Sequence, residues 1–535
     1  MEELQGNRST LLARARAIAR TLTTSTETAM ERAGVCLDLL SPVSLDKQLH
    51  AFRRSLYSLP VEERHYWIGT LYTLLLSAKV RRSQATYFTP PVLADAVVNL
   101  AIEAGFDLVR DDVLDPAAGG AAFLSTLAGR MIAEGLQPEQ VAYRLNGIEI
   151  DEGLTILSRR LIEERLGATL PRDVIVAGDA LKTPILGSYG LVIANPPYGR
   201  VSLDDVHGTE WKKISHRGHI NKYALFSELS FRAAKPGGLV VLVIPSSFRA
   251  GPLYDRMRAF IRSQGQVIAV GSILERDGVF LDVAQDINVL VARKGRPHPT
   301  SVLVRFPVVG SSLTATPAVE QKLPADPGEA WPLPTTDPGS VGGATLADYG
   351  VVARAGYFVW NREQARLLTT PGAHRAYPLI WAKNVRVGKL CIPAGKNGAA
   401  VDFVSFSSDS TAIITGPAAV MQRTTNDKQP RRMIAAMVDP AVVERWDGFV
   451  TENHTIVLTC DDPDRLALAV ALINTNQVDV RYRRVSGTAS ISVKLLRQID
   501  LPHPDAFAAA LTSANGDAEI AATAAYRRSN ALVDG

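Results

Sequence analysis

Between about residues 81 and 295, short aliphatic and β-branched runs alternate with longer Leu- and Ala-rich stretches of helical spacing. The runs are VRDDVL (109–114), YRLNGIEI (143–150), DVIVAG (173–178), LVIA (191–194), GLVVLVI (238–244), GQVIAV (265–270) and INVLVAR (287–293). Their cores are continuously apolar rather than alternating, which predicts strands buried on both faces. Helices between such strands predict a mostly parallel sheet, with ligands beyond the carboxyl ends of the strands. Residues 1–80 read differently. VEERHYWIGTLYTLLL (61–76) repeats apolar residues at helical spacing behind Pro60, predicting a helical N-terminal region. A Pro- and Gly-rich passage, PADPGEAWPLPTTDPGSVGG (324–343), marks a connecting segment over 297–344. Residues 345–510 read as a mixed, β-rich domain, and the Ala-rich 511–535 as a flexible tail.

Composition narrows the class. Of 535 residues, 46% are apolar and 21% charged, a globular balance, and no apolar run approaches the ~20 residues of a membrane span. With no apolar signal core near Met1, a cytoplasmic protein is expected. Cys36, Cys391 and Cys460 are too scattered for a disulfide framework or a zinc site, so each is expected as a small buried hydrophobe, and no metal is expected. A net charge of +4 decides nothing at this length, so local clusters must.

Chemistry gathers at the predicted strand ends. VLDPAAGGAAFL (113–124) turns from strand to helix, with Asp115 at the tip and Gly119 and Gly120 permitting a tight turn. It lacks the GxGxxG spacing of a dinucleotide site and the GxxxxGK[ST] of a phosphate loop. Glu149 ends the next strand, where a carboxylate can accept two ribose hydroxyls, and Asp179 ends the third. Three acids on one rim suit a nucleoside with a positive centre, S-adenosylmethionine. LVIANPPYGR (191–200) then runs a buried strand into Asn195. An exocyclic amine needs convergent acceptors. Asn195 offers a side-chain oxygen and Pro196 a carbonyl, whose direction Pro197 helps fix, while Tyr198 offers a face for a base.

These segments resemble the gamma-order S-adenosylmethionine-dependent DNA adenine N6-methyltransferases of type II restriction-modification systems. ATYFTPPVLADAVV (85–98) is similar to the family's YTP-type element, which implies Thr89 and Pro90 at the methionine end of the cofactor. DPAAGGAAF (115–123) follows Asp-Pro-Ala-x-Gly-x-Gly-x-Phe except that Ala121 stands at the second glycine. The resemblance implies cofactor contacts from Asp115, Ala117, Gly119, Glu149 and Asp179. It also implies a catalytic tetrapeptide Asn195, Pro196, Pro197 and Tyr198, with Phe280 as the aromatic opposite Tyr198. NKYALFSELSFRAAKPGG (221–238) matches the helix and turn that follow the tetrapeptide. The implied fold is α/β: a Rossmann-like methyltransferase domain with a mostly parallel sheet over 81–296, the helical region before it, and a target recognition domain over 345–510.

The implied reaction moves a methyl group to N6 of an adenine rotated out of duplex DNA, leaving S-adenosylhomocysteine. A separately encoded restriction endonuclease is then an expected functional partner, and a DNA-associated monomer the expected form. Basic runs in the last domain are expected on phosphates: MQRTTNDKQPRR (421–432) with Arg431 and Arg432, and VRYRRVSGTASISVKLLR (480–497) with Arg481, Arg483, Arg484 and Lys494. The same tetrapeptide serves enzymes acting on RNA adenine or protein glutamine, and a non-catalytic DNA-binding module is a further reading.

Overall fold

The computed structural model describes the chain apart from residue 1 and residues 23–25, 42–46, 78–87, 186, 202–213, 215–219, 274–286, 310–315, 327–328, 332–342, 369–374, 392–402, 425–429, 487–489 and 532–535. It falls into two compact units: Met1–Phe248 with Leu253–Glu329, and Arg249–Pro252 with Ala330–Gly535.

The first unit is built on one sheet. Its strands are β1 (Val113–Asp115), β2 (Leu145–Glu149), β3 (Ile175–Ala177), β4 (Tyr189–Ala194), β5 (Ala234–Pro245), β6 (Gly265–Ile273), β7 (Ile287–Lys294), β8 (Leu303–Val309) and β9 (Thr316–Lys322). They lie in the order β9-β8-β6-β7-β5-β4-β1-β2-β3. β3, β2, β1, β4 and β5 run parallel, while β7 is antiparallel to both β5 and β6. This is the Rossmann-like methyltransferase arrangement. Every residue from Leu191 to Ala194 and from Val240 to Ile244 is fully buried, because helices cover both faces of the sheet. The order reverses between β1 and β4, so the crevice beyond their tips is where a ligand binds in such a sheet.

Among the described residues, four helices make up the N-terminal region: Glu2–Leu22, Ala29–Leu40, Lys47–Tyr57 and Val61–Leu75. They form a core of their own, closed by Leu154, Leu157 and Leu161 from the sheet-covering helix Glu152–Leu166. Val61–Leu75 is buried almost all round, from His65 to Thr73, because it lies between its neighbours and the sheet domain. Gly153 lets Ala29–Leu40 approach: a Cβ there would lie 2.1 Å from the Ala29 carbonyl oxygen. Polar ties cross the same seam. Tyr72 donates to Asp151 at 2.5 Å, and His65 meets Glu164 at 2.9 Å.

The second unit holds two four-stranded sheets. Val352–Ala355, Thr455–Thr459, Ala418–Gln422 and Ala435–Met437 form one; Leu367–Leu368, Phe403–Ser405, Ala376–Ile380 and Val450–Thr451 form the other. The helices Pro463–Ile473, Pro504–Ser513 and Ala518–Ala531 join its core.

Three features depart from the sequence pattern. Residues 303–322, within the expected connecting segment, supply β8 and β9. Pro307 reads as a strand breaker, but it falls at the register shift between Phe306 and Val308, where a ladder tolerates the missing N–H. The expected flexible tail is a packed helix. Ala521, Ala522 and Ala525 are fully buried, since small side chains let helices approach closely, and the Tyr526 hydroxyl donates to the Asp500 carbonyl at 2.9 Å. Cys36 and Cys460 are buried as expected, but Cys391 is exposed. Among the described residues no helix is long and apolar enough to cross a membrane.

Packing of the last helix has a measurable consequence. Tyr526→Ala should destabilise the second unit by about 3–5 kcal/mol, the range for truncating a buried aromatic, read from the urea midpoint of the purified chain. An unchanged midpoint would return residues 518–531 to the status of a loose tail.

Candidate active site

The crevice is assembled from four strand ends and one entering segment. At the tip of β1, Asp115 is 1% exposed, and its Oδ1 accepts the Ala117 N–H at 3.0 Å. Burial pushes its carboxyl up to about 8, against one compensating backbone bond. The chain then turns through Gly119, at φ +49°, and Ala121, at φ +57°. The position where the resemblance asks for a second glycine therefore carries a methyl group in left-handed geometry. Ala121 is fully buried at the mouth of helix Ala122–Ala133.

Glu149 fixes this turn. Its Oε2 accepts the Gly119 N–H at 2.8 Å and its Oε1 the Asp151 N–H at 2.9 Å. Each carboxylate oxygen keeps a lone-pair direction for a further donor. Burial raises the carboxyl above its ordinary range, while the two backbone bonds oppose that shift. From below, the Ser158 hydroxyl donates to the Gly119 carbonyl at 2.6 Å. Asp179 follows β3: its Oδ1 accepts the Leu181 N–H at 3.0 Å, and Lys182 stands 3.6 Å from its other oxygen.

Across the switch point, Asn195 leaves β4 in contact with the segment that enters the sheet domain. Its Nδ2 donates to the Thr89 hydroxyl at 3.1 Å, which fixes the amide plane, and its Oδ1 accepts the Tyr198 hydroxyl at 2.7 Å. The same hydroxyl has an alternative acceptor, the Val243 carbonyl, at 3.2 Å. Burial raises the Tyr198 phenol well above its ordinary value, so it stays a donor. Pro196 is buried, and Pro90 stands just before helix Pro91–Glu103, with Pro91 at the helix start.

Several contributors carry no role in the sequence reading. Tyr223 meets Tyr198 edge-on, with centroids 6.3 Å apart, and stacks on Tyr254 at 5.5 Å, extending Tyr198 into an aromatic wall. Tyr223 lies inside NKYALFSELS, a matched stretch whose sequence names no function for the ring. Phe88 is the second omission. A Cβ on Gly120 would lie 1.6 Å from its ring, and one on Gly69 would lie 2.2 Å from it. The ring therefore occupies space that two glycines leave open, between the N-terminal helices and the cofactor turn. Beside it, a cavity of about 20 Å³, room for one water, is lined by His65, Thr89, Ser125 and Thr126. A glycine in the interior of a helix, as Gly69 is, was the available signal.

The expected residues are thus drawn together in two clusters, Asp115–Gly119–Glu149 and Thr89–Asn195–Tyr198, bridged by Phe88. Asp179 stands at the third strand end. Phe280 lies outside the described residues. No group of His, Cys, Asp and Glu suited to a metal occurs among the described residues.

Four of the arginines expected on phosphates are engaged inside the second unit. Arg432 is 2% exposed, with its guanidinium over Tyr482 at 5.6 Å. Arg481 is buried over the Tyr526 ring at 3.5 Å. Arg483 donates to Asp479 at 2.5 Å, and Arg431 pairs with Glu519. These charges hold helices Asn476–Val485 and Ala518–Ala531 in place, so Arg432 and Arg481 cannot reach a phosphate. Lys494 is exposed, whereas the side chain of Arg484 lies outside the described residues.

Fold and site define a Rossmann-like methyltransferase domain, and the comparisons narrow it. Residues 182–280 match the family model of the Eco57I restriction-modification methylase. The chain is 28% identical over 195 residues to the type II methyltransferase M.TthHB8I of Thermus thermophilus, covering 35% of this chain and 40% of that one. It is 21% identical over 337 residues to M.PstI of Providencia stuartii, covering 59% and 65%. The matches thus span about two fifths to two thirds of these relatives. Among solved structures, the type IIL restriction-modification enzyme MmeI bound to DNA aligns with 98% of this chain and 89% of its own. The TM-score is 0.50 at 13% identity, a likeness of fold. The central region is therefore similar to restriction-modification methylases over residues 182–280.

One test addresses the ribose assignment. Glu149→Ala removes two acceptors and orphans the Gly119 N–H, so S-adenosylmethionine affinity should fall by about 1–3 kcal/mol in calorimetry. Unchanged affinity would remove Glu149 from the site.

Proposed function

We propose that the chain is a site-specific DNA methyltransferase that methylates N6 of an adenine rotated out of duplex DNA, within a restriction-modification system. The observation that carries this reading is the Asn195 amide, held by Thr89 at the end of β4 beside the Tyr198 ring. An acceptor fixed in that way, next to an aromatic face, suits an exocyclic amine better than a hydroxyl or thiol.

The first cluster fits S-adenosylmethionine. Asp115 is a buried acid with a single backbone partner, Glu149 retains acceptor directions, and the turn through Gly119 exposes backbone at the switch point. Asp115, Ala117, Gly119, Glu149 and Asp179 would hold the nucleoside, with Thr89 and Pro90 toward the methionine. When bound, the cofactor supplies an electrophilic methyl group on a sulfonium.

The chain's own residues then do three things. Asn195 Oδ1 and the Pro196 carbonyl accept the two amine N–H bonds, drawing the nitrogen toward a tetrahedral shape with its lone pair directed at the methyl group. Tyr198 offers a face to the extruded base, with Tyr223 and Tyr254 supporting its edge. The Tyr198 hydroxyl can turn from Asn195 to the Val243 carbonyl, so Asn195 is released without leaving that hydroxyl unpaired. Held there, the cofactor would supply its methyl group to N6, with the carbon–sulfur electron pair staying on sulfur as S-adenosylhomocysteine and one N6 proton passing to water. Phe280 is proposed as the opposite wall of the base pocket. A separately encoded endonuclease, a monomeric state and a cytoplasmic, DNA-associated setting belong to the same proposal.

Asn195→Ala should slow single-turnover methylation about 100-fold or more, the scale for one preorganised electrostatic contact, while a 2-aminopurine placed at the target adenine still brightens on flipping. Methylation at the wild-type rate would refute the acceptor role.

A further inference from the structure

The second unit carries outward positive charge beyond the two basic runs of the sequence as well as at Lys494 within them. From Val352 to Lys389 the chain has seven Lys/Arg and one acid, Glu363, and that acid pairs with Arg366 at 3.0 Å. Backbone bonds gather the key parts. Phe358 N–H donates to the Thr451 carbonyl and Asn453 N–H to the Phe358 carbonyl, both at 2.9 Å, and Glu452 N–H donates to the Ile380 carbonyl at 3.0 Å. The loop 356–360, the turn 451–455 and the end of strand Ala376–Ile380 therefore meet at one place.

The loop is also pinned from inside. Phe358 is fully buried, and Gly356 lies so close to the turn that a Cβ would stand 2.0 Å from the Glu452 carbonyl oxygen. Its neighbours Tyr357 and Trp360 nevertheless stand 51% and 48% exposed. Arg362 follows two residues after Trp360 and Lys383 three residues after Ile380, and both are exposed, whereas His454 on the turn pairs with Glu452. Aromatics held outward on a rigid loop among cations are the parts of a nucleic-acid surface: cations for phosphates, flat rings for sugars and bases.

We propose that Tyr357, Trp360, Arg362 and Lys383 form the surface by which the second unit engages duplex DNA. This rests on the methyltransferase reading and locates its DNA contact. Arg432 and Arg481 are excluded from it by their burial.

The test is a salt titration of binding to a fluorescent mixed-sequence 30-base-pair duplex, using the full chain. R362Q/K383Q should weaken binding at least tenfold and lower the slope of log K against log salt by about two units, near 0.9 for each lost phosphate contact. R362K/K383R should keep the wild-type slope. W360A should weaken binding about 5- to 100-fold with the slope unchanged, as loss of a ring contact predicts. All are exposed side chains, so wild-type melting temperature and S-adenosylmethionine affinity are expected throughout. Wild-type slope and affinity in both R362Q/K383Q and W360A would overturn the proposed surface, as would preference for an RNA hairpin over the duplex. Failure of the wild-type chain to methylate any duplex would instead remove the functional reading beneath it.

Discussion

Phe88 lies where the N-terminal helices, the cofactor turn and the tetrapeptide strand converge, and the geometry of the crevice depends on that packing. Its ring fills the space left by Gly69 and Gly120, so the helix Val61–Leu75 and the turn after β1 are held against a common body. Thr89, one residue on, then reaches the Asn195 amide. Distances in a packed interior are set by van der Waals contact and change little without a cost. The N-terminal helices are consequently part of the crevice's frame. His65–Glu164 and Tyr72–Asp151 reinforce the same seam with polar contacts.

Charge is handled differently in the second unit. Asp479 is 2% exposed and accepts the backbone N–H groups of Arg432 and Met433 as well as the Arg483 side chain. A carboxylate that far from water is tolerable only with several donors around it. Arg432 and Arg481 are consequently part of the interior, while the loops around Trp360 and Lys383 carry exposed charge.

The strands of the sheet domain were legible because each is a continuous apolar run, and Asn195, Glu149 and Asp115 because they stand at strand ends, where a side chain meets the crevice. What escaped depends on partners distant in sequence. Pro307 concealed β8, since nothing local announces a register shift. Alanines in the last helix looked too small to anchor anything, yet their smallness is what lets that helix pack. Arg431 looked free beside Arg432, but its acid, Glu519, is 88 residues away. Asp479 stands one residue before the run of arginines that seemed to lack an acid. Phe88 and Gly69 show the same limit, since a ring between two glycines is a property of packing.

The central claim is that this crevice places an adenine amine, carried in duplex DNA, at Asn195. It is tested most directly by mapping modified bases in the genomic DNA of cells expressing the full chain. N6-Methyladenine is expected at one adenine of a single short recognition sequence, and is expected to be absent from cells expressing Asn195→Ala. DNA without modified adenine, alongside methylated RNA or protein glutamine in the same cells, would contradict it.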